Sequence, residues 1–387
     1  MAECYSCPQI AGHSLNFEGP VDGDRCIALC CEKHIPNHPA VGFAGTAEDT
    51  LERFLGMRVL AAAECRDNTE SPRYGCRQCT HLRKADWYFE PRICYVNLSM
   101  YPAPCQSKCI YCCEAEHLNR NFTPDVNDAY EKLFDFLEYA DQRGMIDPEA
   151  VWQVSSGEIT LHPYRDRIME LIRDRHAVFY TNAFLFDEAI AQKLHNDPNS
   201  AIDLSIDAGT PETWRKVKGF DHLKTVLSNL HRYRRNSARP GQIILKYIIL
   251  PDVNDGPEDL SAAVEIAKRL DVRCLTIARD TEKRTSSGSE YRSKLLETAA
   301  RLLALCQRNG IKNDMYTYSV KERAAAVNSC KETSGRGGSL VLLLSGRAHG
   351  FEFGIPRGGK TAVRKGIPAA GKERNMENDR YVARMEM

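Results

Sequence analysis

The chain has 387 residues, 43% of them hydrophobic, and its 52 lysines and arginines are matched by 52 aspartates and glutamates. That balance creates no overall field to draw in nucleic acid or an anionic membrane, and no apolar run is long enough to cross a bilayer. The start, MAECYSCPQI, lacks a basic stretch followed by an apolar one, so no export signal is expected and a cytoplasmic location is.

Residues 1–91 are cysteine-rich and irregular apart from a predicted helix around Thr46–Phe54. The chain has sixteen cysteines, thirteen of them at or before Cys113. In a chain without an export signal, such crowding points to metal binding or redox chemistry rather than to a disulfide framework. Two pairs spaced C-x2-C, Cys4/Cys7 and Cys76/Cys79, can form a four-thiolate site for zinc or an iron–sulfur cluster; Cys26, the adjacent Cys30–Cys31, Cys65 and Cys94 lie between or after them.

From Ile93 onward the pattern alternates. Strands are predicted at Ile93–Met100, Ala150–Ser155, Ala177–Thr181, Ile202–Ile206, Ile243–Leu250 and Val272–Ala278. Amphipathic helices are predicted at Asp125–Arg143, near Tyr164–Arg175, Phe186–His195, His222–Arg234 and Leu260–Leu270, and at Tyr291–Arg308. Strand-then-helix units repeated six times predict an α/β domain over residues 92–325 with a parallel sheet, because parallel strands need crossover connections. An open doubly wound sheet and an incomplete barrel both fit. In either, ligands sit beyond the carboxyl ends of the strands, where polar residues recur in this sequence.

Residues 326–387 form a glycine-rich, basic tail with little periodicity, read as poorly ordered. Gly354–Thr361 there matches the phosphate-loop pattern G-x4-G-K-[ST]. The mechanism needs a strand before it and a helix after it. Gly366 and Pro368 would break such a helix, so the match is discounted.

The loop after the first predicted strand reads Cys105-Gln-Ser-Lys-Cys109-Ile-Tyr-Cys112, spaced C-x3-C-x2-C. Three thiolates on one short loop can converge on a cubane cluster and leave its fourth iron open. A zinc site would normally pair two C-x2-C knuckles, and no partner pair lies nearby in the barrel sequence. With Tyr111 before the third cysteine, this loop resembles the signature of the radical S-adenosylmethionine (SAM) superfamily. The resemblance implies a partial, TIM-like (β/α)6 barrel, here preceded by a small irregular cysteine-rich domain. It implies a [4Fe–4S] cluster on Cys105, Cys109 and Cys112 whose open iron chelates SAM, and reductive cleavage of SAM to a 5′-deoxyadenosyl radical that takes hydrogen from a substrate. An electron donor such as flavodoxin or ferredoxin is implied as partner, and a peptide or small metabolite as substrate.

Further segments are similar to the family's SAM-binding elements. Tyr111 would pack near the adenine. Gly157-Glu158, after the second strand, is similar to the Gly-Gly-Glu-Pro segment, with Ser156 and Ile159 replacing the first glycine and the proline. There the glutamate would accept from the SAM amino group. Asn182, Ser205 and Asp207 stand where the family places contacts to the ribose and methionyl group. Lys246, in the apolar run Ile243–Leu250, must reach the barrel mouth or find a carboxylate; the SAM carboxylate and Asp207 are its expected partners. Cys274 is read first as a core cysteine and second as a hydrogen donor to a substrate radical.

The amino-terminal cysteines resemble those of a radical SAM subgroup with an auxiliary cluster. That resemblance implies a second [4Fe–4S] cluster drawn from Cys7, Cys30 or Cys31, Cys76 and Cys79, with structural zinc as the rival. The competing expectation from another functional class is a non-catalytic zinc- or cluster-binding interaction module.

Overall fold

A computed structural model of the chain describes residues 5–21, 25–30, 37–67, 73–79, 82–84, 89–99, 101, 103–112, 122–155, 157–280, 288–315 and 317–334. Cys4, Cys31, Cys113 and the Gly354–Thr361 match lie outside these.

The first long strand is Ser14–Val21 (β1); Arg25–Ala28 (β2) pairs antiparallel with it, and Ala40–Val41 (β3) antiparallel with β2. A helix follows at Ala47–Asp67 (α1). Strands and helices then alternate: Ile93–Asn97 (β4), Pro124–Gln142 (α2), Ile146–Val154 (β5), Arg165–Leu171 (α3), His176–Tyr180 (β6), Glu188–Asn196 (α4) and Ala201–Ser205 (β7). Two helices come next, Pro211–Lys218 (α5) and Leu223–Asn236 (α6). The chain continues through Ile243–Ile249 (β8), Pro257–Arg269 (α7), Cys274–Arg279 (β9), Ser289–Arg308 (α8), Asn313–Asp314 (β10) and Val320–Ser334 (α9).

Among the described residues these strands form one sheet in the order β3-β2-β1-β4-β5-β6-β7-β8-β9-β10. From β1 through β4 to β10 every neighbouring pair is parallel. The six expected strand–helix units are therefore present as β4 to β9 in chain order, as a partial barrel requires. Laid flat, β4 to β10 would span roughly 29 Å at normal strand spacing. Yet Ser99, just past β4, and Asp314, in β10, line a single cavity of about 460 Å³, so the sheet is rolled.

The two faces of that sheet differ. Leu204, Leu245, Leu275 and Ile277 are buried in the main core. On the cavity side, the register Ser205↔Lys246↔Thr276↔Asp314 sets one polar residue on each of four successive strands.

Three stretches are more regular than their sequence suggests. The amino-terminal region adds β1 to the sheet, because β1 finds an open edge at β4. Helix α1 runs on to Asp67, carried by the helix-favouring Leu60-Ala61-Ala62-Ala63-Glu64. Helix α9 passes residue 326, where composition had placed the start of the tail, through another alanine-rich run. Helix α5 has no counterpart among the predicted elements. Its start is nonetheless written locally: Thr210 accepts from the Thr213 N–H and Pro211 fills the first turn, a capped entry that suits a short helix.

Candidate active site

Cys105, Cys109 and Cys112 lie on the loop after β4, at the carboxyl end of the sheet, and all three line the cavity of about 460 Å³. All three are partly exposed, whereas Cys65, Cys274 and Cys306 are buried. The Asn182 side-chain amide donates to Ser107 Oγ at 3.2 Å and approaches Cys105 Sγ at 3.5 Å. Burial raises the Cys105 thiol above its ordinary range, while the Ser107 N–H and the Asn182 amide pull it back toward the thiolate. Among the described residues no three His, Cys, Asp or Glu side chains already stand at the spacing of a single-ion metal site; the three thiols stand along the cavity wall.

The strand ends facing this loop carry left-handed backbone: Ser155 (φ 69°) and Gly157 (φ 82°) after β5, Ala183 (φ 53°) after β6, Asp207 (φ 46°) after β7 and Asp252 (φ 66°) after β8. Such conformations persist in non-glycine residues only where their surroundings fix them. At Asp207 the fixing groups are visible. Asn254 Nδ2 donates to the carbonyls of Asp207 and Ile248, each at 2.8 Å, and the Ile248 N–H donates to Asp207 Oδ1 at 2.6 Å. Asp207 Oδ2 accepts from the Tyr111 hydroxyl and, at 2.5 Å, from the Lys218 ammonium.

The ammonium paired with Asp207 is thus that of Lys218, in place of the expected Lys246. Lys246 lines the cavity beside Ser205 and acts on Asp203. Burial raises the Asp203 carboxyl to about 6, with Lys246 and Arg273 opposing.

Glu158 stands at the end of β5, held by protein donors. It is fully buried and does not line the cavity, although Gly157 beside it does. Its oxygens accept from the Thr160 N–H at 3.1 Å, the Thr160 hydroxyl at 3.0 Å, the Thr181 hydroxyl at 2.9 Å and the Asn182 N–H at 2.7 Å. A carboxylate so surrounded is engaged by protein donors and brackets the ends of β5 and β6, which positions Asn182. Asn182 itself touches the cysteine loop.

Cys274 opens β9 and so lies at the end away from the cysteine loop. It packs with Ala201 and Ile244 and does not line the cavity. That placement matches a core thiol. Tyr111 and Ser205 do line the cavity, as do several residues without a sequence signal of function. Lys218 lies on the unpredicted helix, and the Phe184 and His222 rings pack at a 34° tilt with centroids 4.3 Å apart. An aromatic or a lysine outside a motif gives no such signal.

The amino-terminal cysteines also converge. Cys7, Cys30, Cys76 and Cys79, from four separate positions, line one small cavity with Ile10, His38, Pro39 and Leu82. Burial pushes the Cys7 thiol up to about 12. His38 Nε2 is held 2.8 Å from the buried Glu18 carboxylate. Cys31 lies outside the described residues.

The family model of the radical SAM superfamily matches residues 104–265, from the cysteine loop through most of α7. Residues 104–265 form a radical SAM domain by this match. The family implies a [4Fe–4S] cluster and SAM as cofactors, and an enzyme. Among solved structures, the chain is similar to SuiB of Streptococcus suis bound to S-adenosylmethionine, at 13% identity and TM-score 0.44, covering 71% of this chain and 54% of that one. SuiB bound to the precursor peptide SuiA matches at 14% identity and TM-score 0.46, covering 72% and 56%. The radical SAM enzyme coproporphyrinogen III oxidase of Escherichia coli matches at 14% identity and TM-score 0.37, covering 54% and 53%. The chain spans about half the length of these structures. No curated protein matches it in sequence. Among the described residues no helix is long and apolar enough to cross a membrane.

Proposed function

We propose that this protein cleaves SAM reductively at a [4Fe–4S] cluster held by Cys105, Cys109 and Cys112, and that the resulting radical takes hydrogen from a peptide or a small metabolite. The observation that carries this reading is the opening of all three thiols onto one cavity. Three thiolates for four irons leave one iron for a ligand, so the donor set fits the group.

Held by these three thiolates, a cluster would supply the single electron needed for reductive cleavage of SAM to methionine and a 5′-deoxyadenosyl radical. The chain's own residues bind and orient. Gly157, without a side chain, leaves room at the cavity wall. Phe184, Trp214, Val226 and Ile248 give the cavity an apolar side suited to a flat base, and Ser205, Lys246, Thr276 and Asp314 give it a hydrogen-bonding side for SAM and substrate. Tyr111, tied to Asp207 and Lys218, keeps the loop between the second and third cysteines in place. The electron comes from outside the chain, from a low-potential donor such as flavodoxin or ferredoxin.

A second metal site is proposed at Cys7, Cys30, Cys76 and Cys79, since these four thiols share one cavity. Its proposed occupant is a second [4Fe–4S] cluster; four thiolates also suit structural zinc.

The test is anaerobic reconstitution followed by dithionite and SAM. The wild type should release 5′-deoxyadenosine, and the variant with Cys105, Cys109 and Cys112 all changed to alanine should release none. Product from that variant would overturn the assignment. Zinc without labile sulfide in anaerobically purified protein would favour a non-catalytic interaction module instead.

A further inference from the structure

The last two residues of a helix carry carbonyls with no partner inside it. In α5 those residues are Val217 and Lys218, and their carbonyls accept the N–H groups of Ile110 and Lys108, each at 3.0 Å. Both donors belong to the cysteine loop, on either side of Cys109. The Lys218 side chain then reaches over the same loop, donating to Tyr111 Oη at 2.6 Å and to Asp207 Oδ2 at 2.5 Å. Gly219 leaves the helix at φ 81°, and a Cβ added there would stand 2.7 Å from Lys108 Cβ. The loop can lie this close only because residue 219 has no side chain.

We infer that the corner Val217–Gly219 is a template that sets the cluster loop before metal arrives, with Lys218 as its positioning residue. The inference deepens the proposed SAM-cleaving site and rests on that reading for the identity of the cluster. Ordering a flexible loop around a cluster costs backbone entropy, and a loop already held at Lys108, Ile110 and Tyr111 loses less on loading. The Lys218–Asp207 pair suits this task because its side chains are 8% and 0% exposed, out of reach of screening by salt. Asn254 anchors Asp207 in turn, so the loop is referred to the ends of β7 and β8.

The template is tested by Gly219→Ala and by the paired change Lys218→Met with Asp207→Asn, which removes both charges and leaves no buried ion alone. Three readouts apply: the SAM-responsive EPR signal of the reduced cluster, trypsin cleavage after Lys108 in the metal-free chain, and thermal unfolding. Both variants should unfold near the wild-type temperature yet show less than about half the SAM-responsive signal, with cleavage after Lys108 roughly fivefold faster as local opening becomes easier. Lys218→Arg should restore most of the signal. Tyr111→Phe, which removes one link without uncovering a charge, should move both readouts the same way by less, and it decides the matter if the paired change fails to fold. Variants with wild-type signal and wild-type protection at Lys108 would overturn the template. A wild type that loads its cluster yet releases no 5′-deoxyadenosine would sink the proposed reaction and leave the template standing.

Discussion

The Asn182 N–H donates to Glu158 Oε2 at 2.7 Å, and the side chain of the same asparagine approaches Cys105 Sγ at 3.5 Å. A buried carboxylate at the end of β5 thereby sets a residue that touches Cys105, without itself lining the cavity.

The bracket makes a stability prediction. Glu158→Ala leaves the N–H groups of Thr160 and Asn182 and the hydroxyls of Thr160 and Thr181 without their acceptor, and unsatisfied buried donors cost about 1–3 kcal/mol each. With partial relaxation, a loss of about 3 kcal/mol is expected in urea unfolding of the metal-free chain, against about 1 kcal/mol for Glu158→Gln, which keeps an acceptor. Cluster retention should fall in the alanine variant and persist in the glutamine one. An alanine variant as stable as wild type would show that other groups serve those donors.

The sequence made the barrel legible because each of its six units repeats the same alternation, and the cysteine loop legible because C-x3-C-x2-C is rare and compact. Glu158 shows where such reading stops. The Gly-Glu pair marked the right strand end, but which way the carboxylate turns is decided by Thr160, Thr181 and Asn182 across a strand junction. Lys218 is the opposite case. Nothing local separates it from Lys216, the other lysine of α5, and only the return of that helix to the cysteine loop brings it onto Tyr111 and Asp207. The four amino-terminal thiols were visible as cysteines; that Cys7, Cys30, Cys76 and Cys79 meet depends on contacts between segments far apart in the chain.

His162 gives a pH dependence with a definite sign. Its Nδ1 accepts the Tyr164 N–H at 3.0 Å, so the ring proton sits on Nε2, 3.0 Å from the Tyr130 hydroxyl. Burial pushes the imidazole down to about 4, whereas an unfolded histidine titrates near 6.5. The unfolded state therefore takes up the proton first, and the stability from neutral His162 is fully present above about pH 6.5 and lost as pH falls toward 4. The loss across that window should approach about 3 kcal/mol. Urea unfolding of the metal-free chain at pH 4 to 7, wild type against His162→Gln, isolates it. A wild-type slope equal to that of the variant would refute the assignment.

The second cavity is tested by counting. If Cys7, Cys30, Cys76 and Cys79 hold a cubane, the reconstituted chain should carry about eight irons, and Cys76→Ser with Cys79→Ser should lower that to about four, since each cubane holds four. Removing two of four thiolates from one wall of the cavity should release its whole occupant, because two ligands do not retain a cluster against chelation. The barrel loop shares no thiol with that cavity, so the same variant should still show the SAM-responsive EPR signal. If zinc is the occupant, the wild type should instead carry about four irons and one tetrahedrally bound zinc, and the serine variant should lose only the zinc. A variant that keeps every metal of the wild type would place the ligands elsewhere and rule out this set.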